Sequence, residues 1–143
     1  MNYQIIEILE KYQIKPTPMR MLVLEQLRIA RKLLSLSEIE AILYPADRVT
    51  IYRTLQTFVR KRIAHMVDTL HTGAVYGLCT DSCIGAEHCD EHPHFICEYC
   101  KTITCTNDFS YIIRKNLTTA QNYEIHKIEV TIKGICPNCT SKR

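Results

Sequence analysis

No cysteine occurs in the first 78 residues; all eight lie from Cys79 onward. No apolar run approaches eighteen residues either, so no membrane-spanning helix is expected. The opening Met1-Asn2-Tyr3-Gln4-Ile5-Ile6-Glu7 lacks a basic stretch followed by an apolar core, so no signal peptide is expected. Without a secretion signal, so many cysteines argue for metal ligands over disulfides, because cytosolic thiols are kept reduced. A cytoplasmic location follows as an expectation. Composition excludes the extremes: 46% hydrophobic and 23% charged residues describe an ordinary globular chain. Its 143 residues suffice for one ordinary domain or two small ones that need staples.

Charge divides as the cysteines do. Residues 1–66 hold eleven Lys/Arg against six Asp/Glu, a balance of +5; residues 67–143 hold seven against nine, a balance of −2. A basic, thiol-free half followed by an acidic, thiol-rich half points to one module meeting a polyanion and another holding metal.

The chemistry is densest in His92-Pro93-His94-Phe95-Ile96-Cys97-Glu98-Tyr99-Cys100. A Cys-x-x-Cys turn brings two thiolates to one tetrahedral ion, which is half of a structural zinc site. Cys136-Pro137-Asn138-Cys139 supplies the other half, giving Cys97, Cys100, Cys136 and Cys139 as one ligand set. On a strand His92 and His94 point to the same face, since side chains alternate, so they can share a second metal.

In chain order, Asn2 caps a helix over Tyr3–Tyr12. Thr17-Pro18 opens a second to about Ala30, with Leu22, Val23, Leu27 and Ala30 inward. Ser35 and Glu38 have capping-box spacing for a third through Leu43. Asp47 caps a fourth from Arg48 to about Lys61, whose Ile51, Leu55, Phe58 and Val59 face a core. Its opposite side presents Arg48, Thr50, Tyr52, Arg53, Gln56 and Arg60. These residue types suit a major groove: arginine binds guanine or phosphate, glutamine pairs with adenine, and threonine and tyrosine touch thymine methyls. Strands over Ile63–Asp68 and Ala74–Cys79, around a turn near Gly73, complete a winged helix-turn-helix. Beyond it, His94–Cys97 and Lys101–Cys105 form a hairpin, Asp108 begins a helix to about Asn122, and Glu124–Ile132 alternates as a strand. Gly134 allows the second cysteine turn. The fold class is therefore α+β: a winged helix-turn-helix domain over residues 1–79, a Cys/His-containing linker over 80–91, and a small zinc-stapled α+β domain over 92–143.

Thr17-Pro18-Met19-Arg20, Ser35-x-x-Glu38-Ile39, Val49-Thr50-Ile51-Tyr52-Arg53-Thr54-Leu55, His92-x-His94-x-x-Cys97-x-x-Cys100 and Gly134-x-Cys136-x-x-Cys139 together resemble the ferric uptake regulator family. Within it the chain is most similar to the zinc uptake regulators. The resemblance runs over essentially the whole chain. It implies metal-promoted repression at inverted-repeat operators in double-stranded DNA, a homodimer joined through the C-terminal domain, structural Zn2+ at the four cysteines, and Zn2+ or Fe2+ at a regulatory site.

The regulatory ligands it implies are His65, Cys79, His92 and His94. Tyr76-x-Leu78-Cys79 resembles the zinc-sensor pattern, in which a thiolate replaces the acidic ligand of iron sensors, and a soft set suits zinc. Cys105 lies where relatives place a carboxylate ligand. It could join that shell, or an auxiliary site with Asp108 and His126, although the offset of His126 from Cys136 is longer than a family ligand's and favours a structural role. Cys83, His88 and Cys89 stand in an unmatched insertion and form a second auxiliary candidate. Lys101 stands where many relatives have glycine.

Two other functions are weighed. A zinc deaminase would carry His-x-Glu with Pro-Cys-x-x-Cys, and here Pro137 follows Cys136 instead of preceding it. A zinc-ribbon adaptor binding protein alone would leave the arginines and tyrosine of the fourth helix without a role. An iron- or peroxide-responsive regulator of the same family is the alternative within the resemblance.

Overall fold

The computed structural model describes residues 2–69, 73–78, 93–106, 124, 126 and 128–142. It consists of two compact units, Met1–Glu87 and His88–Arg143. Cys79, Cys83, His88, Cys89, His92 and Asp108, and the helix expected from Asp108, lie outside the described residues.

The first unit contains α1 (Asn2–Lys11), α2 (Pro18–Ile29), β1 (Leu34–Ser35), α3 (Leu36–Ile42), α4 (Arg48–Arg60), β2 (Ala64–Thr69) and β3 (Gly73–Leu78). The expected caps are formed. Thr17 Oγ1 accepts from Arg20 N at 3.4 Å, with Pro18 in the first turn of α2. Ser35 and Glu38 make the reciprocal box, at 2.7 and 3.2 Å. Asp47 accepts from Thr50 N at 2.9 Å, fixing where α4 begins.

Ile5, Leu9, Val23, Leu24, Leu27, Ile39, Ile51, Leu55 and Phe58 are buried in one core beneath the helices. Leu22 corrects the expectation, being 49% exposed. At 100° per residue it lies 200° from Leu24, and Leu24 with Val23 and Leu27 defines the buried side of α2. The sheet has order β1-β3-β2, all antiparallel, and the two-residue β1 was not foreseen.

Helices α1 and α4 end alike. Gln13 (φ 56) and Arg62 (φ 60) are left-handed, and Ile14 and Ile63 return their amides to Leu9 and Phe58 at 2.8 and 3.0 Å. Both isoleucines are buried, which seals the helix ends against the core.

The second unit contains β4 (His94–Cys97), β5 (Ile103–Cys105), β6 (Thr131–Gly134) and a single helical turn, α5 (Pro137–Thr140). The order is β5-β4-β6, antiparallel on one side of β4 and parallel on the other. The strand expected over Glu124–Ile132 is instead Thr131–Gly134. Its extent is set by pairing, since β4 offers four residues and β6 pairs with those four.

Candidate metal centres and nucleic-acid interface

Parallel pairing of β4 with β6 brings the two cysteine motifs together. Cys97 lies beside Gly134 at the C-terminal ends of the strands, so each strand delivers its Cys-x-x-Cys to the same end of the sheet. The close approach depends on glycine: a Cβ on Gly134 would stand 3.3 Å from the Phe95 ring. Across the strand ends, Glu98 N donates to Gly134 O at 2.8 Å. Lys101 completes the first turn in the left-handed region (φ 61), with Lys101 N donating to Cys97 O at 2.9 Å.

The Sγ atoms of Cys97, Cys100, Cys136 and Cys139 lie within 4.8 Å of one another. A zinc–thiolate bond of about 2.3 Å implies a tetrahedron edge of about 3.8 Å. Cys100 Sγ and Cys136 Sγ are 3.8 Å apart, matching that edge. All four are free thiols. The donor set, its number and its spacing fit structural zinc.

The backbone favours one ligand as a thiolate. Cys136 N donates to Cys97 Sγ at 3.4 Å. That bond, with a second from the Cys100 amide, lowers the Cys97 thiol to about 6. Burial, then hydrogen bonding among the sulfurs, pushes Cys139 up to about 12. A hydrogen bond with the Thr102 side chain lowers Cys100. In the folded arrangement Cys97 therefore ionises far more readily than Cys139.

Two expected regulatory ligands are described, each within its own unit. His65, on β2, is buried and stands opposite Gly77 of β3. A Cβ at Gly77 would come 3.6 Å from His65 Cε1 and 3.0 Å from Leu33 Cγ, so glycine leaves room for the imidazole. His94, on β4, stands opposite Cys105 of β5, and their ligand atoms lie within 4.8 Å.

On α4, Arg48, Thr50, Tyr52, Arg53 and Arg60 are exposed, while Ile51, Thr54, Leu55 and Phe58 are buried. Arg48 is tied to Glu40 of α3 and to Ser37 Oγ at 3.4 Å, which fixes the α3–α4 corner. Thr50 Oγ1 donates to Asp47 at 2.8 Å, and this bond holds the Asp47 carboxyl below its ordinary value. Gln56 is half-buried and hydrogen-bonded to Tyr76 of β3, an internal role that residue spacing did not disclose. Of the expected groove residues, Arg48 and Thr50 are tied to neighbours and Gln56 to β3, and Tyr52, Arg53 and Arg60 are the remaining exposed ones.

A sequence model described as the Ferric uptake regulator family matches residues 11–133. A ferric uptake regulation protein from Synechococcus elongatus is 29% identical over 96 residues, a stretch covering 66% of this chain and 60% of that protein. Among solved structures, a zinc uptake regulator complexed with zinc and DNA is similar at a TM-score of 0.71 and 20% identity, covering 98% of this chain and 93% of that one. The Vibrio cholerae ferric uptake regulator gives 0.67 at 21% identity, covering 92% and 98%. The matched span takes in the three capped helices α2, α3 and α4, and the chain belongs to the ferric uptake regulator family.

Proposed function

We propose that this chain is a zinc-responsive transcriptional repressor, not an enzyme, which binds inverted-repeat operators in double-stranded DNA as a homodimer in the cytoplasm. The observation that carries it is the outward surface of α4. A doubly capped helix over a sealed core presents Tyr52, Arg53 and Arg60 outward. Arginine at such a position reads guanine or neutralises phosphate, and Arg48 holds the corner that aims the helix. A structurally similar zinc uptake regulator complexed with zinc and DNA supports the same reading.

In this reading residues 1–79 bind DNA, 80–91 link, and 92–143 bind structural zinc and dimerise. His65, Cys79, His92 and His94 hold the regulatory ion, and Cys83, His88, Cys89 and Asp108 remain auxiliary candidates. Imidazoles with a thiolate favour zinc over iron(II), which takes harder, oxygen-rich shells. Regulation is then a coupling free energy of roughly 1–3 kcal/mol, or about 5–150-fold in DNA affinity.

The test uses a duplex enriched from a random-sequence pool with the zinc-loaded protein. Its affinity is measured against buffered free zinc, iron(II) and manganese. Zinc should tighten binding most, and Arg53→Ala should weaken it while metal content stays at the parent level. A response to iron(II) alone would replace the sensed metal. Equal binding by Arg53→Ala would move the DNA surface away from α4.

A further inference from the structure

We propose that Val49 is a base-reading residue of α4, packing its γ-methyls against the 5-methyl group of one thymine in each operator half-site. The inference rests on the reading that α4 enters the major groove.

Of the first-turn residues expected at the groove, Arg48 and Thr50 are tied back to the protein. Arg48 is paired with Glu40 of α3 and lies within reach of Ser37 Oγ, and Thr50 Oγ1 donates to Asp47 at 2.8 Å. Val49 stands between them and is 52% exposed. At about 100° per residue it lies about 200° from Ile51, which is fully buried. On the same count Arg53, Gln56 and Arg60 fall within about 40° of Val49, so it heads the stripe down the middle of the outward side. Its place along the axis is fixed as well. Asp47 caps α4 by accepting from Thr50 N at 2.9 Å, and the Val49 amide also bonds that carboxylate.

The first turn of a recognition helix is the part that reaches base edges. An isopropyl group there forms no hydrogen bond, so it is blind to the donor and acceptor pattern of a base pair. It can read the one apolar group on the major-groove edge, which is the thymine methyl. A β-branched side chain is stiff in a helix, so Val49 holds its methyls in one dominant rotamer before DNA arrives. In the free helix an exposed valine is a poorer former than alanine. Packed on a thymine, it takes two apolar groups out of water together.

The test uses the zinc-loaded protein and the duplex it enriches from a random-sequence pool. Each thymine is replaced in turn by deoxyuridine, which removes the 5-methyl and keeps every hydrogen-bonding group. The parent should lose about fourfold in affinity at one position of each half-site, and about fifteenfold with both replaced, as burial of one methyl-sized group per half-site implies. Val49→Ala should bind the thymine and deoxyuridine duplexes alike, near the parent's affinity for the latter, and should fold, since alanine favours helix. If Val49→Ala keeps the methyl effect and Tyr52→Ala abolishes it, the contact belongs to Tyr52 and the proposal falls. Indifference of the parent to every replacement, with Arg53→Ala still weakening binding, would overturn the Val49 contact and leave α4 as the DNA surface. Equal binding by Arg53→Ala and the parent would instead remove α4 from that surface, and the Val49 contact with it.

Discussion

Removing zinc from the four-cysteine centre should melt the second unit and leave the first folded. In the first unit, fourteen residues form one buried cluster, including Leu9, Leu24, Ile39, Ile51, Leu55 and Phe58. Each large side chain there contributes about 1.5–3 kcal/mol of burial. Among the described residues of the second unit, Ile103 is the one large aliphatic side chain that is buried, beside Pro93, Cys97 and Cys139. Its burial supplies about 1.5–3 kcal/mol, whereas structural zinc supplies about 10–16 kcal/mol near neutral pH. Among the described residues the metal therefore dominates the balance, and the three-stranded sheet is expected to depend on it.

The assay is amide hydrogen exchange under reducing conditions, before and after a strong chelator has taken the metal. The amides of His94 and Cys97, which bond Val130 O and Thr102 O at 3.0 Å, should lose their protection. Amides in α2 and α4 should exchange as before. Protection of β4 persisting at zero zinc content would show that packing holds the sheet and would refute the reasoning.

Lys101→Gly should raise stability by about 1 kcal/mol, since a left-handed lysine is strained by about that much; the change would appear as a melting shift of roughly 4 °C, and a lower melting temperature would count against it. Zinc loading also carries a proton signature. Once the unit has melted without metal, its cysteines return toward the ordinary thiol value and are protonated at neutral pH. Calorimetry in buffers of different ionisation enthalpy should therefore count close to four protons released per zinc at pH 7, with affinity falling on acidification; a count well below four would show that the thiolates are prepared before the metal arrives.

The helix starts and the cysteine turns were legible because their causes are local. Thr17, Ser35 and Asp47 each cap the helix that follows through atoms three residues away. Each Cys-x-x-Cys is likewise a short-range device. What joins the two turns is not local: β4 and β6 pair in parallel across more than thirty residues of chain. The alternation of Ile128, Val130 and Ile132 announced a strand without fixing its ends, which the length of β4 decides. Gln56 was read as a groove residue because its helical position is outward enough, yet Tyr76 on a neighbouring strand engages it.

Glycine misled in a more general way. The sequence has four, and Gly134 was expected to release the second cysteine turn. It has no left-handed φ; among the described glycines only Gly73 does. Gly134 and Gly77 are instead needed where a Cβ would press on Phe95 at 3.3 Å and on Leu33 at 3.0 Å. The other left-handed positions among the described residues, for which glycine is the usual marker, fall to Gln13, Arg62 and Lys101. The two costs differ in kind. A left-handed side chain at an exposed turn costs about 1–2 kcal/mol and disturbs nothing else. A Cβ driven into a packed neighbour has to displace that neighbour as well. At Gly77 the neighbours include the imidazole of His65, and at Gly134 they include the strand that presents Cys97. Among the described glycines, two of three therefore mark close approaches beside the proposed metal ligands, and one marks a turn.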